Sequence, residues 1–303
     1  KAIRRQRQMC IRDSSNKWGV LLQQKVSRIK EFVTVKTDCS GKVVFHDQFG
    51  TLEFEEKTTR KGTTKVDDAP TDRRALHPKF FHKTIGYDEF DGTKLGDLDV
   101  PVSQTIEGLR FAAGRQMDKV MLDAFLGTCY TGENGTTAVT FPTAQTVAKN
   151  FVESGTAEDT GLTLAKLRRA LQMFQENEAW NDDSAGMGDQ LVMACSSAQM
   201  MNLLQTTEVT SRDFADVKAL VEGKVDSFMG FKFLRSEYLP LTSGTRTCLA
   251  WVKSRALFGL WNDFKVKVSI RDDMEETLQI RAKFGCGATR LEEKGFVKVL
   301  CKQ

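Results

Sequence analysis

The sequence predicts an α+β fold, and three observations carry that prediction. A long amphipathic helix stands near the middle of the chain. The carboxyl third alternates apolar and polar residues at the period of strands, and a polar excursion interrupts two β-rich stretches near the amino end.

The helix is expected over 103–127. Pro101 breaks the preceding segment, and Ser103 is placed to accept from the first free backbone amides. Ile106, Leu109, Ala113, Met117, Val120 and Ala124 recur at steps of three and four and make one apolar stripe. Arg110, Asp118, Lys119 and Asp123 fall mostly off it, and Gly127 suits the carboxyl-terminal cap. At about 1.5 Å per residue such a helix runs roughly 35 Å, long enough to span a domain.

Strands dominate the end of the chain. Val266, Val268 and Ile270 alternate with Lys265, Lys267, Ser269 and Arg271; Leu278, Ile280, Ala282 and Phe284 alternate with Gln279, Arg281 and Lys283. Asp272 and Asp273 form the turn between them, which predicts an antiparallel pair, and 297–301 adds one more strand. Upstream, Thr163 can cap a helix carrying Leu164, Leu167, Leu171 and Phe174. Residues 190–195 read as a short buried strand, and Ser196 with Gln199 fits a capping box opening the next helix. Phe231 and Phe233 flank Lys232 in a strand, 247–252 is a further strand, and Asn134-Gly135 offers a tight hairpin turn.

Nearer the amino end, Val20, Leu21, Gln24, Ile29 and Phe32 keep partial helical spacing, so a helix is expected within 18–35. Residues 43–54 are β-rich, with a turn near Gly50 and Leu52 alternating with Phe54. Residues 55–74 then carry almost no large apolar side chain. Lys57, Arg60, Lys61 and Lys65 crowd one half; Asp67, Asp68 and Asp72 precede Arg73 and Arg74 in the other. A polar excursion of about 20 residues is uncommon inside a compact domain. Flanked by strands, it is expected as a long hairpin that cannot bury enough surface alone and lies on a neighbouring subunit.

The totals suit a globular protein with a sizeable core: 303 residues, 40% hydrophobic and 28% charged. No stretch approaches the roughly 20 apolar residues of a membrane-spanning helix, and the amino end lacks the apolar run of a secretory signal, so folding in a cytoplasm is expected. The formal charge of +4 is small, and charges of both signs intersperse along most of the chain. Lys1, Arg4, Arg5, Arg7 and Arg12 form a basic arm that could touch nucleic acid. The run Met9-Cys10-Ile11-Arg12-Asp13-Ser14 resembles a translated adapter remnant, so the first fifteen or so residues are either a basic arm or a non-native remnant, and the rest is read without them. Seven scattered cysteines form no close pair and are expected as reduced, buried thiols.

Local motifs for chemistry are missing. The three histidines, His46, His77 and His82, lie in or beside the excursion, and Pro78 keeps the last two off one helical face. Adjacent carboxylates at 67–68, 182–183, 272–273 and 275–276 sit in turns or polar stretches and do not converge on one reacting atom. Gly285-Cys286-Gly287 has no helix pattern after it, so it is no dinucleotide fingerprint. Lys265 and Lys267 alternate with valines as a solvated strand face would, with no aromatics placed for base stacking. No catalytic, cofactor-binding or metal-binding residue is assigned, and no cofactor is expected.

Several pieces, taken in order, carry a resemblance. Arg73-Arg74-Ala75-Leu76 leads through Tyr87-Asp88-Glu89-Phe90-Asp91 into the helix holding Gly114-Arg115-Gln116-Met117-Asp118. Residues 217–225 lead to Met229-Gly230-Phe231, and the end combines Ile270-Arg271-Asp272-Asp273 with Gly287-Ala288-Thr289-Arg290. This order, along about nine-tenths of the chain, resembles the major capsid proteins of tailed bacteriophages with the Hong Kong 97 (HK97-like) coat fold, marine phages above all.

The resemblance implies an amino-terminal arm over 1–41 and an extended loop over 42–87. It implies a peripheral domain over 88–160 with its spine helix at 103–127, an axial domain over 161–251, and closing peripheral strands over 252–303. It further implies a homo-oligomer of pentamers and hexamers in an icosahedral head enclosing double-stranded DNA, assembled in the host cytoplasm without membrane, with scaffolding, portal and decoration proteins as further partners. Intersubunit contact then falls to Lys57, Arg60, Lys61, Lys65, Asp67, Asp68, Asp72, Arg73 and Arg74 of the loop. Three other readings remain: an encapsulin-like compartment shell, a scaffold or portal component, and an enzyme whose site is assembled across the fold around His77 or His82.

Overall fold

The structure is a computed structural model that describes residues 20–54, 56, 60, 66, 68–88, 101–180, 189–205 and 227–303. Its long helix α1 spans Val102–Leu126, α2 spans Leu164–Glu176 and α3 spans Ser197–Gln205. Fifteen strands among the described residues form three sheets.

The largest sheet sits at the centre of the protein. Its strands are β7 (Thr146–Val147), β15 (Phe296–Lys302), β12 (Thr245–Val252), β8 (Leu191–Cys195), β10 (Phe231–Arg235) and β9 (Ser227–Phe228) in that order, with β11 (Leu241–Thr242) pairing β12 off the path. Both faces are covered. Leu191, Met193 and Cys195 point to a core built with α2 and α3, while Val192 and Ala194 point to a second core shared with α1 and the amino-terminal arm. That is why 191–195 is an unbroken apolar run: a strand buried on two sides has no polar face to offer. Trp251 belongs to the second core and its indole N–H donates to the Phe32 carbonyl at 2.9 Å, pinning the arm beneath the sheet.

A second sheet joins β1 (Thr34–Lys36), β13 (Ala256–Arg271), β14 (Thr277–Arg290) and β4 (Lys79–Tyr87). The predicted antiparallel pair is present, with Val268 opposite Ile280 and Ile270 opposite Leu278, and it continues away from the turn as far as Ala256 opposite Arg290. Ile106 and Leu109 of α1 pack on Ile280, Ala282 and Ile85 of this sheet, so the apolar stripe of α1 covers one of its faces. The third sheet, β2 (Val44–Phe49), β3 (Thr71–Leu76), β5 (Cys129–Thr131) and β6 (Thr137–Val139), is small. Gly135 serves it twice. It holds φ +65 in the turn between β5 and β6, and a Cβ there would lie 2.7 Å from that of Ala75.

Several expectations are corrected. The helix expected within 18–35 reduces to one 3₁₀ turn at Lys30–Phe32. Ile29, Phe32 and Val33 are buried, which accounts for the helical spacing. Leu21, Leu22 and Val26, however, stand exposed while the polar Gln23, Gln24 and Ser27 turn inward to α1. Helix α1 starts at Val102 with Pro101 as N-cap and no side-chain cap bond, so Ser103 lies inside the helix. The capping box of Ser196 and Gln199 is not formed. Gln199 accepts from the Leu162 amide and donates to the Lys302 carbonyl, and Glu237 caps α3 by accepting from the Ser197 amide at 2.7 Å. Strand β2 ends at Phe49, so Leu52 and Phe54 belong to no strand. The final strand β15 lies between β7 and β12 in the central sheet, away from the β13–β14 pair with which it had been grouped. By contrast, Thr163 does cap α2, accepting from the Lys166 amide, and Gly127 does end α1.

Buried polar groups tie the layers together. Arg290, fully buried, donates to the carbonyls of Phe125 at 2.6 Å and Gly127 at 2.7 Å, and Lys298 reaches that of Leu126 at 3.1 Å. These cations satisfy the orphan carbonyls that end α1, whose own last turn has no basic residue. Lys166, also fully buried, donates to the carbonyls of Lys149, Thr160 and Leu300. The six described cysteines are all free and buried, and burial pushes the thiols of Cys195 and Cys286 up to about 12.

Candidate assembly surface

The loop predicted to reach a neighbour grows from β2 and β3, which pair antiparallel from Val44 opposite Leu76 to Phe49 opposite Thr71. The Gly50 amide then donates to the Pro70 carbonyl at 2.7 Å and closes the ladder. Residues between these two points connect the strands.

The base of this hairpin is fixed within its own chain. Arg74 is buried, and its guanidinium forks onto the Glu293 carboxylate with bonds of 2.9 and 2.6 Å, tying β3 to the turn before β15. Arg73 donates to Asp47 across the ladder at 2.6 Å, and that hydrogen bond holds the Asp47 carboxyl below its ordinary value. The Thr131 hydroxyl meets both Asp72 and the Arg73 carbonyl. Of the nine residues assigned to intersubunit contact, Arg74 is therefore spent inside its own chain. Asp72 and Arg73 anchor the base but stay open to solvent, and Arg60 and Asp68 are exposed. Lys57, Lys61, Lys65 and Asp67 lie outside the described residues.

Sequence reasoning missed the apolar part of this surface. Phe49 is 84% exposed, Leu52 73%, Phe54 106% and Val66 89%. The charges of 55–74 dominate its pattern, while Phe49, Leu52 and Phe54 stand just before it and Val66 stands alone within it. Four such side chains at the end of β2 and on its connection cost free energy in water unless something covers them.

The arm is clamped in a different way. Asp118, in the middle of α1, is buried and accepts from Gln24 Nε2 and Ser27 Oγ, each at 2.5 Å, and from the Arg28 and Ile29 amides at 3.1 and 3.3 Å. Its carboxylate satisfies an arm that has no helix to satisfy itself. Arg115 adds a bond to the Gln24 carbonyl. Helical periodicity placed Asp118 off the stripe; only the return of the arm across the helix buries it.

Among the described residues, neither His77 nor His82 gathers a reacting constellation. His77 stacks edge-on against Tyr130 at 5.2 Å, and His82 stands exposed on β4. Among the described residues, no group of three or more His, Cys, Asp or Glu side chains is placed to hold a metal ion.

Comparison with known proteins gives the context. A family model described as phage capsid protein matches residues 7–303. No curated protein sequence matches the chain. Among solved structures, the capsid of Ralstonia phage GP4 superposes with a TM-score of 0.74 at 12% identity, covering 100% of this chain and 98% of that one. The cyanophage Pam1 capsid gives 0.69 at 10% identity over 95% of each chain. The capsid of cyanophage P-SCSP1u gives 0.66 at 16%, covering 94% of this chain and 91% of that one. These likenesses establish the capsid fold, consistent with the Hong Kong 97 pattern of arm, loop and long helix. The chain belongs to the phage capsid protein family and is a structural subunit of a virion shell built from copies of itself.

Proposed function

We propose that the hairpin of β2 and β3 is the part of the subunit that grips its neighbour, and that pentamers and hexamers close into an icosahedral head through it. The observation that carries this reading is the exposure of Phe49, Leu52, Phe54 and Val66 beyond a base locked by Arg74 and Glu293. A rigid stem with a bare apolar end is built to bury that end elsewhere. Burial gains about 25 cal/mol per Å² of apolar area, so one aromatic and one aliphatic side chain already contribute a few kcal/mol at each contact. Repetition around a closed shell multiplies modest contacts into a stable container.

In the same reading, residues 161–251 form the domain around each local symmetry axis, joined in one sheet by β7 and β15 from outside that range. Residues 88–160 and the β13–β14 pair form the peripheral part. The enclosed cargo is double-stranded DNA held without sequence readout, and the subunit works by assembly, with no catalytic step. Scaffolding, portal and decoration proteins complete the head, which assembles in the host cytoplasm. The family match favours this over a cargo-storing bacterial compartment.

Replacing residues 52–68 by a short turn keeps the ladder intact and tests the assignment. The expected product is a folded subunit that no longer forms closed shells by electron microscopy. Shells of normal yield and stability would refute the role of the loop.

A further inference from the structure

We propose that the sheet face carrying Lys265, Lys267, Arg281 and Lys283 is the acceptor for Glu53, Phe54 and Glu56 on the loop of a second copy. The inference rests on the reading of that loop as an intersubunit arm, and it names what the arm holds.

The face is electrostatically unbalanced. Register sets Lys265 opposite Lys283 and Lys267 opposite Arg281 on β13 and β14. Directly opposed side chains in an antiparallel pair are within about 5.5 Å at Cβ, where like charges repel. The next strand adds His82 beside Lys283 and Thr84 beside Arg281, so that strand brings no carboxylate opposite these cations. All four cations are exposed, and among the described residues none takes part in an ion pair. The neighbouring Arg271 is already paired with Asp273. Helix α1 packs on the opposite face; on this one the cations stand exposed beyond the part where Leu76, Trp261 and the His77 backbone lie over Gly259 and Gly287. A lone subunit therefore carries repulsion that a bound anion would relieve.

Charge is only half of the surface. Phe80 lies on the same face, 63% exposed, with its ring over Gly285, where a Cβ would come within 2.7 Å of Phe80 Cδ1. Phe80, His82, Asn262, Arg281 and Lys283 surround a pocket of about 190 Å³. The matching ligand is an exposed apolar group with acidic flanks. The loop offers that combination: Phe54 is fully exposed, and Glu53 and Glu56 are exposed without an ion-pair partner among the described residues. Phosphates of duplex DNA would answer the charge and leave Phe80 uncovered, so the second copy fits better.

A charge swap in the full chain tests this. Arg281→Glu with Lys283→Glu, and separately Glu53→Lys with Glu56→Lys, should each lower shell yield by about tenfold or more, and the combined variant should recover most of it. Yield is read by sedimentation and electron microscopy. A combined variant no better than its parents overturns the pairing, and it does so even if replacing 52–68 abolishes shells and so upholds the role of the loop. Shells that form normally with Arg281→Glu and Lys283→Glu but lose their DNA would make the face a nucleic-acid site and equally overturn it. Folding is controlled separately. Arg281→Gln with Lys283→Gln should leave the unassembled subunit's Tm unchanged or raised, since repulsion is relieved; a fall would refute the imbalance on which the proposal stands.

Discussion

Removing the Asp118 carboxylate should be among the most damaging single changes in the protein, although it touches no candidate interface. The residue is 2% exposed and receives four hydrogen bonds from the arm. In Asp118→Ala, the buried Ile29 amide loses its acceptor, at a cost of about 1–3 kcal/mol for an unsatisfied donor. The Arg28 amide and the side chains of Gln24 and Ser27 are only partly buried and can turn to water, so each adds a fraction of a charge-assisted bond. The total is about 3–5 kcal/mol, at the far end of single substitutions. Asp118→Asn keeps one acceptor oxygen and should cost about 1–2 kcal/mol. Urea unfolding of the unassembled subunit measures the loss, and amide exchange at Ile29 shows whether the arm detaches first. Asp118→Ala within about 0.5 kcal/mol of the parent, with Ile29 protection unchanged, would refute the clamp.

Other consequences can be checked alongside it. Arg290→Ala strips the donors from the end of α1 and leaves buried carbonyls unpaired, so it should destabilise the subunit by about 3–5 kcal/mol in the same unfolding assay. Gly287→Ala should be severe despite adding one methyl. Its Cβ would sit 2.3 Å from the His77 carbonyl oxygen, which is backbone and cannot step aside, and a drop in Tm of several degrees is expected. Asp47 should titrate below 3.8 in an NMR pH series, and Arg73→Gln should return it toward that value. Because its folded value is lowered, the stabilisation from this pair is present above 3.8 and is lost as pH falls through the folded value. Exchange protection at the loop base should weaken in the same acidic range.

What the sequence made legible was whatever repeats with a period. Helix α1, the β13–β14 pair and the Thr163 cap announce themselves through spacing that a local window contains. The apolar run at 191–195 gave away a buried strand because nothing polar interrupts it. What stayed hidden depends on segments far apart in the chain. Asp118 reads as a surface acid on its helix until the arm, about ninety residues earlier, crosses it. Lys166 reads as a solvated charge until three carbonyls from other segments close around its ammonium. The glycines flanking Cys286 lie within β14, and their use, letting Phe80 and the His77 backbone approach the sheet, is visible only in three dimensions. The candidate contact residues were found by charge, and the bulky Leu52 and Phe54 beside them were read only as strand residues. Alternation suggested a strand at Leu52 and Phe54 where the ladder had already ended.

The sealed sulfur atoms have a use of their own. Six thiols sit where no reagent can reach them while the layers stay closed. An alkylating dye should therefore react only as fast as the subunit breathes, and each labelled cysteine would time the opening of its own neighbourhood. Cys195 and Cys248 would report on the middle of the large sheet, and Cys39 on the end of the arm. A shell of such subunits thus carries built-in clocks for its own loosening.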